Sequence, residues 1–185
     1  RADVQIALND DLVVLGCTDS DAAREMTIIE TGTGLKYCIL PAAEAGVAGD
    51  PERESQWQAA ELKSGLTWLR SESSGQFLPQ MLGYEAIGAL NFRKGCYPGQ
   101  EIIARTRYLG NLKRRPLLLH PAEPVEFNPM EKITVHSGDD GFSAVAVDFA
   151  AGQDGEQSLL VVIRSSSDDT ADAVTVGGKR VGLTP

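Results

Sequence analysis

Long apolar runs are missing from this chain. None of its 185 residues falls in an uninterrupted stretch of 18 or more apolar side chains, which excludes a single apolar helix crossing a membrane. The opening residues, RADVQIALND, lack the basic-then-apolar pattern of a secretory leader. Both absences predict a cytoplasmic protein with no membrane partner. The chain starts at Arg1 rather than Met, so we expect upstream residues to contribute to function. Histidine is scarce, with only His120 and His136, and the three cysteines Cys17, Cys38 and Cys96 form no CxxC pair. So few donors cannot build a closed zinc site, and no metal is expected. The order and spacing of Cys96 and the two histidines give no support to a Cys/His hydrolase either. An odd number of thiols fits a reducing compartment. Cys17 and Cys38 lie in the strand-like runs LVVLGC and LKYCIL, where cysteine acts as a small buried hydrophobe.

What is present is an uneven charge. The net charge is −9, yet residues 93–115 hold seven basic side chains (Arg93, Lys94, Arg105, Arg107, Lys113, Arg114, Arg115) and one acid, Glu101. The island therefore carries +6 and the remainder −15. Such an asymmetry steers an anionic partner to one face and repels it elsewhere. A polyglutamylated or phosphorylated small molecule and RNA both fit, and so does a plain solvated basic face.

With 42% hydrophobic residues the chain can bury a real core. Residues 4–15 read as a hairpin about Asn9-Asp10, SDAAREM as a short helix, and MTIIETGTGLKYCIL as two further strands broken at Thr31–Gly34. A helix is predicted from the Asp50 cap, with Pro51 in its first turn, to about Lys63, stopping near Gly65. LTWLR reads as a short strand. FLPQMLGYEAIGALNF holds a proline and two glycines, which predicts an extended start at Phe77–Pro79 and at most a short helix over Tyr84–Leu90. A second helix is expected from about Pro98 to Tyr108. Beyond it, RPLLLH, KITVHS, FSAVAVDF, SLLVVIR and AVTVGGKRVGL are five β-like runs with turn residues between them. The fold class is α+β, with a mixed domain over residues 1–110 and a compact antiparallel sheet or small barrel over 111–185.

The stretch KGCYPGQE, residues 94–101, carries the densest chemistry. Gly95 and Gly99 allow tight backbone geometry, while Arg93, Lys94 and a helix start would favour thiolate at Cys96. It lacks the length and Lys-Ser/Thr ending of a phosphate-binding loop. A glycine-bracketed turn over a buried cysteine accounts equally well for the same residues.

KGCYPGQE, preceded by FLPQMLGYEAIGALNFR and followed by IIARTRYLGNLKRRPLLL, closely resembles the YgfZ family. These are folate-binding proteins related to the glycine-cleavage T-protein and to a mitochondrial iron–sulfur assembly factor. The octapeptide looks like the family signature K-G-C-[FY]-x-G-Q-E, with Pro98 in its variable slot. The resemblance is firm from Trp57 to Leu119 and looser on either side, where ITVHSG still fits a C-terminal barrel. It implies a T-protein-like α/β domain, which family members extend at the N-terminus, followed by a small antiparallel β-barrel. It further implies binding of tetrahydrofolate or a derivative and support of iron–sulfur cluster assembly or repair. Iron–sulfur enzymes or assembly proteins would be partners, with an effect on tRNA modification. Cys96 would be the functional thiol and Lys94 its activator. Tyr97, Gln100, Glu101, Arg105 and Gln80 are the candidate folate contacts, with Arg107 and Arg114 as further cations for its carboxylates. Two other readings stand beside this one: a tetrahydrofolate-dependent aminomethyltransferase, and an RNA- or protein-binding module that uses the basic island.

Overall fold

The computed structural model describes residues 9–17, 27–45, 50–95, 98–152, 155–167 and 170–184. Among them are nine strands and two α-helices, in an α+β arrangement of two antiparallel sheets. The first sheet is small. Strands β1 (Leu12–Cys17), β2 (Thr27–Glu30) and β3 (Lys36–Pro41) pair in the order β1-β3-β2. Asn9 begins the turn into β1, its side-chain oxygen accepting the Asp11 N–H at 3.0 Å. The first arm of the expected hairpin, the SDAAREM helix, Cys96 and Tyr97 lie outside the described residues.

Helix α1 (Pro51–Lys63) forms where its end signals placed it. The Asp50 side chain accepts from the N–H groups of Glu52 and Arg53, and Pro51 occupies the first turn. Gly65, at φ +86°, turns the chain out of the helix. One face of α1 buries Ala59 and Leu62 against Val147, Ala150, Leu160 and Val162. Ser55 fixes that docking by donating to the Ala151 carbonyl at 2.7 Å.

Three local expectations change. LTWLR is not a strand: its backbone bonds to the end of α1, to Tyr84 and to the following turn, and the side chains of Thr67, Trp68 and Arg70 bond to carboxylates elsewhere in the chain. No helix forms over Tyr84–Leu90. A 3₁₀ turn at Pro79–Leu82 is instead ended by Gly83 in the left-handed region, and successive turns follow. Helix α2 (Gln100–Leu109) starts two residues later than expected, because Gly99 at φ +93° is its cap and Pro98 falls outside it.

The second sheet has six strands: β4 (Arg114–Leu119), β5 (Lys132–Ser137), β6 (Asp140–Ala151), β7 (Gln157–Arg164), β8 (Ala173–Val176) and β9 (Lys179–Gly182). Their order is β4-β7-β6-β5-β8-β9. The last β-like run is two strands, because Gly177 and Gly178 both take positive φ and turn it into a hairpin. Just past their ends, β4 and β9 approach each other. Pro121 bridges Leu183, and Thr184 donates to the His120 carbonyl at 2.8 Å. One face of this sheet buries Leu119, Ile133, Val135, Leu159, Val161, Ile163 and Val174 around a common core. Its other face receives α1 and the 3₁₀ turn through Leu82. No helix among the described residues is long and apolar enough to cross a membrane.

Candidate functional site

A cleft of about 760 Å³ opens where α1, the small sheet and the 66–70 segment meet β6. Its walls are aromatic. Trp57 from α1 lies flat on Gly16 of β1, so closely that a Cβ at Gly16 would fall 2.3 Å from the indole ring. Tyr37 of β3, the register partner of Gly16, meets Trp57 edge-on at 5.6 Å between centroids and 83° between planes. Trp68 and Phe149 complete the lining, with Trp68 57% exposed.

Glu61 organises these rings. It sits four residues after Trp57, hence on the same side of α1, and is only 4% exposed. Oε1 accepts from the Tyr37 hydroxyl at 2.5 Å and from Trp57 Nε1 at 3.0 Å, while Oε2 accepts from Trp68 Nε1 at 3.0 Å. Three neutral donors therefore hold one buried carboxylate, which satisfies it without a cation. Burial, then the hydrogen bond to Glu61 and its negative charge, push the Tyr37 phenol well above its ordinary pKa. The phenol stays a donor throughout the physiological range.

A second carboxylate closes the far end. Asp148 Oδ1 accepts from Arg70 Nε at 3.1 Å and Nη2 at 2.9 Å, and Oδ2 accepts from Thr67 at 3.0 Å. Tyr84 donates to the Thr67 carbonyl at 2.6 Å, and burial, followed by the charge of Asp148, raises its pKa. Among the described residues that line it, Glu54, Glu61 and Asp148 stand against the single cation Arg70, so the cleft is acidic. It suits a planar ligand that donates hydrogen bonds.

None of the described residues singled out in the sequence lines this cleft. Lys94 is exposed, on a loop whose Arg93 and Lys94 N–H groups bond to the Asn91 side chain. Glu101 turns back to accept the Gly99 N–H at 2.9 Å and so serves the start of α2. Gln100 is buried. Gln80 is 6% exposed and donates from Nε2 to the Ile103 carbonyl at 2.8 Å; its Oε1 is buried with no partner among the described residues. Gln80 thereby ties the 3₁₀ turn to α2. Arg107 is held by Glu85 and lies 5.6 Å over the Phe92 ring, whereas Arg105 is exposed. Cys17 and Cys38 are buried, as expected. The residues that sequence reasoning missed are Tyr37, Trp57, Glu61 and Trp68. The available signal was that both tryptophans of the chain flank one glutamate, four residues before it and seven after.

No family model matches the chain. It is similar to curated proteins named tRNA-modifying protein YgfZ. One, from Klebsiella pneumoniae (strain 342), is 29% identical over 200 residues, covering 92% of this chain and 61% of the relative. Another, from Cronobacter sakazakii (strain ATCC BAA-894), is 31% identical over 140 residues, covering 60% of this chain and 43% of the relative. The chain thus spans about two-fifths to three-fifths of the length of these relatives. The resemblance carried by the octapeptide holds across nearly the whole chain.

Proposed function

From its standing as a relative of the YgfZ proteins, we propose that this chain is a folate-binding accessory protein that supports iron–sulfur cluster assembly or repair and, through it, tRNA modification. The observation that carries the folate part is the cleft at Glu61. Its volume falls in the usual range for small-molecule sites, and its walls match a flat heterocycle. A pterin head is planar and presents N–H donors on one edge, which suits aromatic walls and carboxylate acceptors. Trp57 is the fixed wall, pinned against Gly16. Trp68 is the adjustable one, since its departure from Glu61 Oε2 would free an acceptor inside the cleft. Arg70 stands nearby and would meet a folate carboxylate with charge-assisted hydrogen bonds.

Bound tetrahydrofolate would supply one-carbon or redox chemistry; the chain's own residues bind it, orient it and exclude water. In this reading Cys96 remains the sulfur-bearing centre, with Lys94 as its activating cation. The six-stranded unit is the small C-terminal barrel of the family, a reading supported by the Pro121–Leu183 bridge between its two edges. The T-protein-like relation of the first domain belongs to the same reading.

The experiment uses the two tryptophans as reporters, because both line the cleft. Titration with tetrahydrofolate is expected to quench intrinsic fluorescence saturably, and Glu61→Gln to weaken binding about tenfold, equivalent to roughly 1.4 kcal/mol. Absence of any saturable response, confirmed by calorimetry, would remove the folate reading. Alkylation of the native protein across a pH series tests the thiol, since Cys17 and Cys38 are buried. A Cys96 that reacts no faster than a free cysteine would end its role as an activated nucleophile.

A further inference from the structure

Arg114 and Arg164 are direct cross-strand partners in the antiparallel β4–β7 pair, so their side chains leave the sheet on the same face. Both are exposed. Facing residues of this kind hold their Cβ atoms about 4.5–5.5 Å apart, and like charges placed so are destabilising. Neither arginine has an acidic partner among the described residues, unlike Arg70, Arg107 and Lys179, which each have one. The ladder continues beyond the strands. Ser165 donates from its backbone to the Lys113 carbonyl at 3.0 Å and from its hydroxyl to the Leu112 carbonyl, which fixes the backbone entering β4. Arg115, on the opposite face, is anchored through Nη2 to the Ser167 carbonyl at 2.9 Å. Only four residues separate this edge from α2, whose Tyr108 ring is 67% exposed and touches Phe92 edge-on at 6.1 Å.

We infer that Arg114 and Arg164 form a docking site for the phosphodiester backbone of an RNA, with Tyr108 as a stacking surface for an unpaired base. The inference rests on the reading above that the chain serves tRNA, and it adds a surface to that reading. Two adjacent guanidiniums bind phosphate oxygens in bidentate fashion, and the ligand's charge relieves their repulsion. An exposed aromatic a few residues along the chain from such a cluster fits the pattern of sequence-tolerant single-strand binding. Arg164 lies well outside the basic island in sequence, and strand pairing alone brings it there. An acidic protein segment would satisfy the charges, yet it would leave the exposed ring without a flat partner.

The test measures binding of the full chain to unmodified tRNA and to a labelled 20-nucleotide single-stranded RNA as salt is varied. Arg114→Gln/Arg164→Gln is expected to weaken binding roughly tenfold at low salt. Its slope of log K against log salt should fall in magnitude by about 1.4, the share of two phosphate contacts on a single strand. The charge-matched variant Arg53→Gln/Lys132→Gln should keep the wild-type slope, and Arg114→Lys/Arg164→Lys should keep most of it. The double glutamine variant should melt no lower than wild type, because a repulsion has been removed. Equal loss in the charge-matched variant, no loss in the arginine pair, no RNA binding by wild type, or tighter binding of an oligoglutamate peptide through the same pair would each overturn the inference. Folate titration of wild type alongside these variants keeps the two readings apart. An intact wild-type fluorescence response with no RNA binding defeats only the docking surface, and no wild-type response with RNA binding intact defeats only the folate site.

Discussion

The two sheets are stabilised in different ways. The six-stranded sheet buries a continuous apolar core, with Val135, Val161 and Val174 wholly inaccessible. Among its described residues, the three-stranded sheet buries only Cys17, Cys38 and Leu40 as a cluster, and it leaves Val14, Ile28 and Ile29 exposed. A sheet with so little apolar burial is marginal alone. Its attachment is the polar and aromatic junction at Glu61, where Tyr37 and Trp57 share one carboxylate oxygen. The large sheet is therefore a rigid platform, and the small one a wall whose position depends on the candidate ligand site. Coupling between ligand and small-sheet stability follows, because a ligand bound to Glu61 would also hold that wall.

That contrast can be broken most severely in the platform. Leu159→Ala removes a fully buried side chain from the large core and is expected to cost about 3 kcal/mol, read as a lower urea midpoint with one cooperative transition. Next in size is Glu61→Ala, at about 2 kcal/mol, since it strips the acceptor from two indoles and a phenol. Here amide exchange should quicken in β1–β3 and stay slow in β6 and β7; uniform loss of protection would show that the sheets are one cooperative unit. The smallest change is Tyr37→Phe, at about 1 kcal/mol near neutral pH. Tyr37 also sets a pH limit. Its folded pKa is raised, so its contribution is complete below the unfolded value of about 10 and is lost as pH climbs beyond it. The phenylalanine variant should show a shallower alkaline loss of stability than wild type in thermal melts between pH 9 and 11. Matching slopes would mean that other groups, Tyr84 among them, control that limb.

Local signals proved readable wherever the backbone conformation depends on near neighbours. Asp50-Pro51 and Gly65 mark the ends of α1, because caps act within a turn of their own residue. The apolar runs after Asn111 became strands, and the one error there, a single run for β8 and β9, was a two-glycine hairpin visible in hindsight. LTWLR failed for a different reason. Its composition suits a strand, but its polar groups answer Glu61 and Asp148, which lie elsewhere in the chain. The family resemblance was likewise legible in KGCYPGQE, a compact and unusual string.

Composition and short-range pattern were enough to settle the α+β class, the end signals of α1, the burial of Cys17 and Cys38, and a positive island in an acidic chain. Packing alone chose the partners. It set Trp57 on Gly16, gathered three donors from three segments around Glu61, and placed Arg164 opposite Arg114. Each of these contacts joins residues tens of positions apart or depends on which face of an element is covered. Hydrogen bonds and charges act over a few ångströms of space, so their pairing becomes known only once the chain has folded.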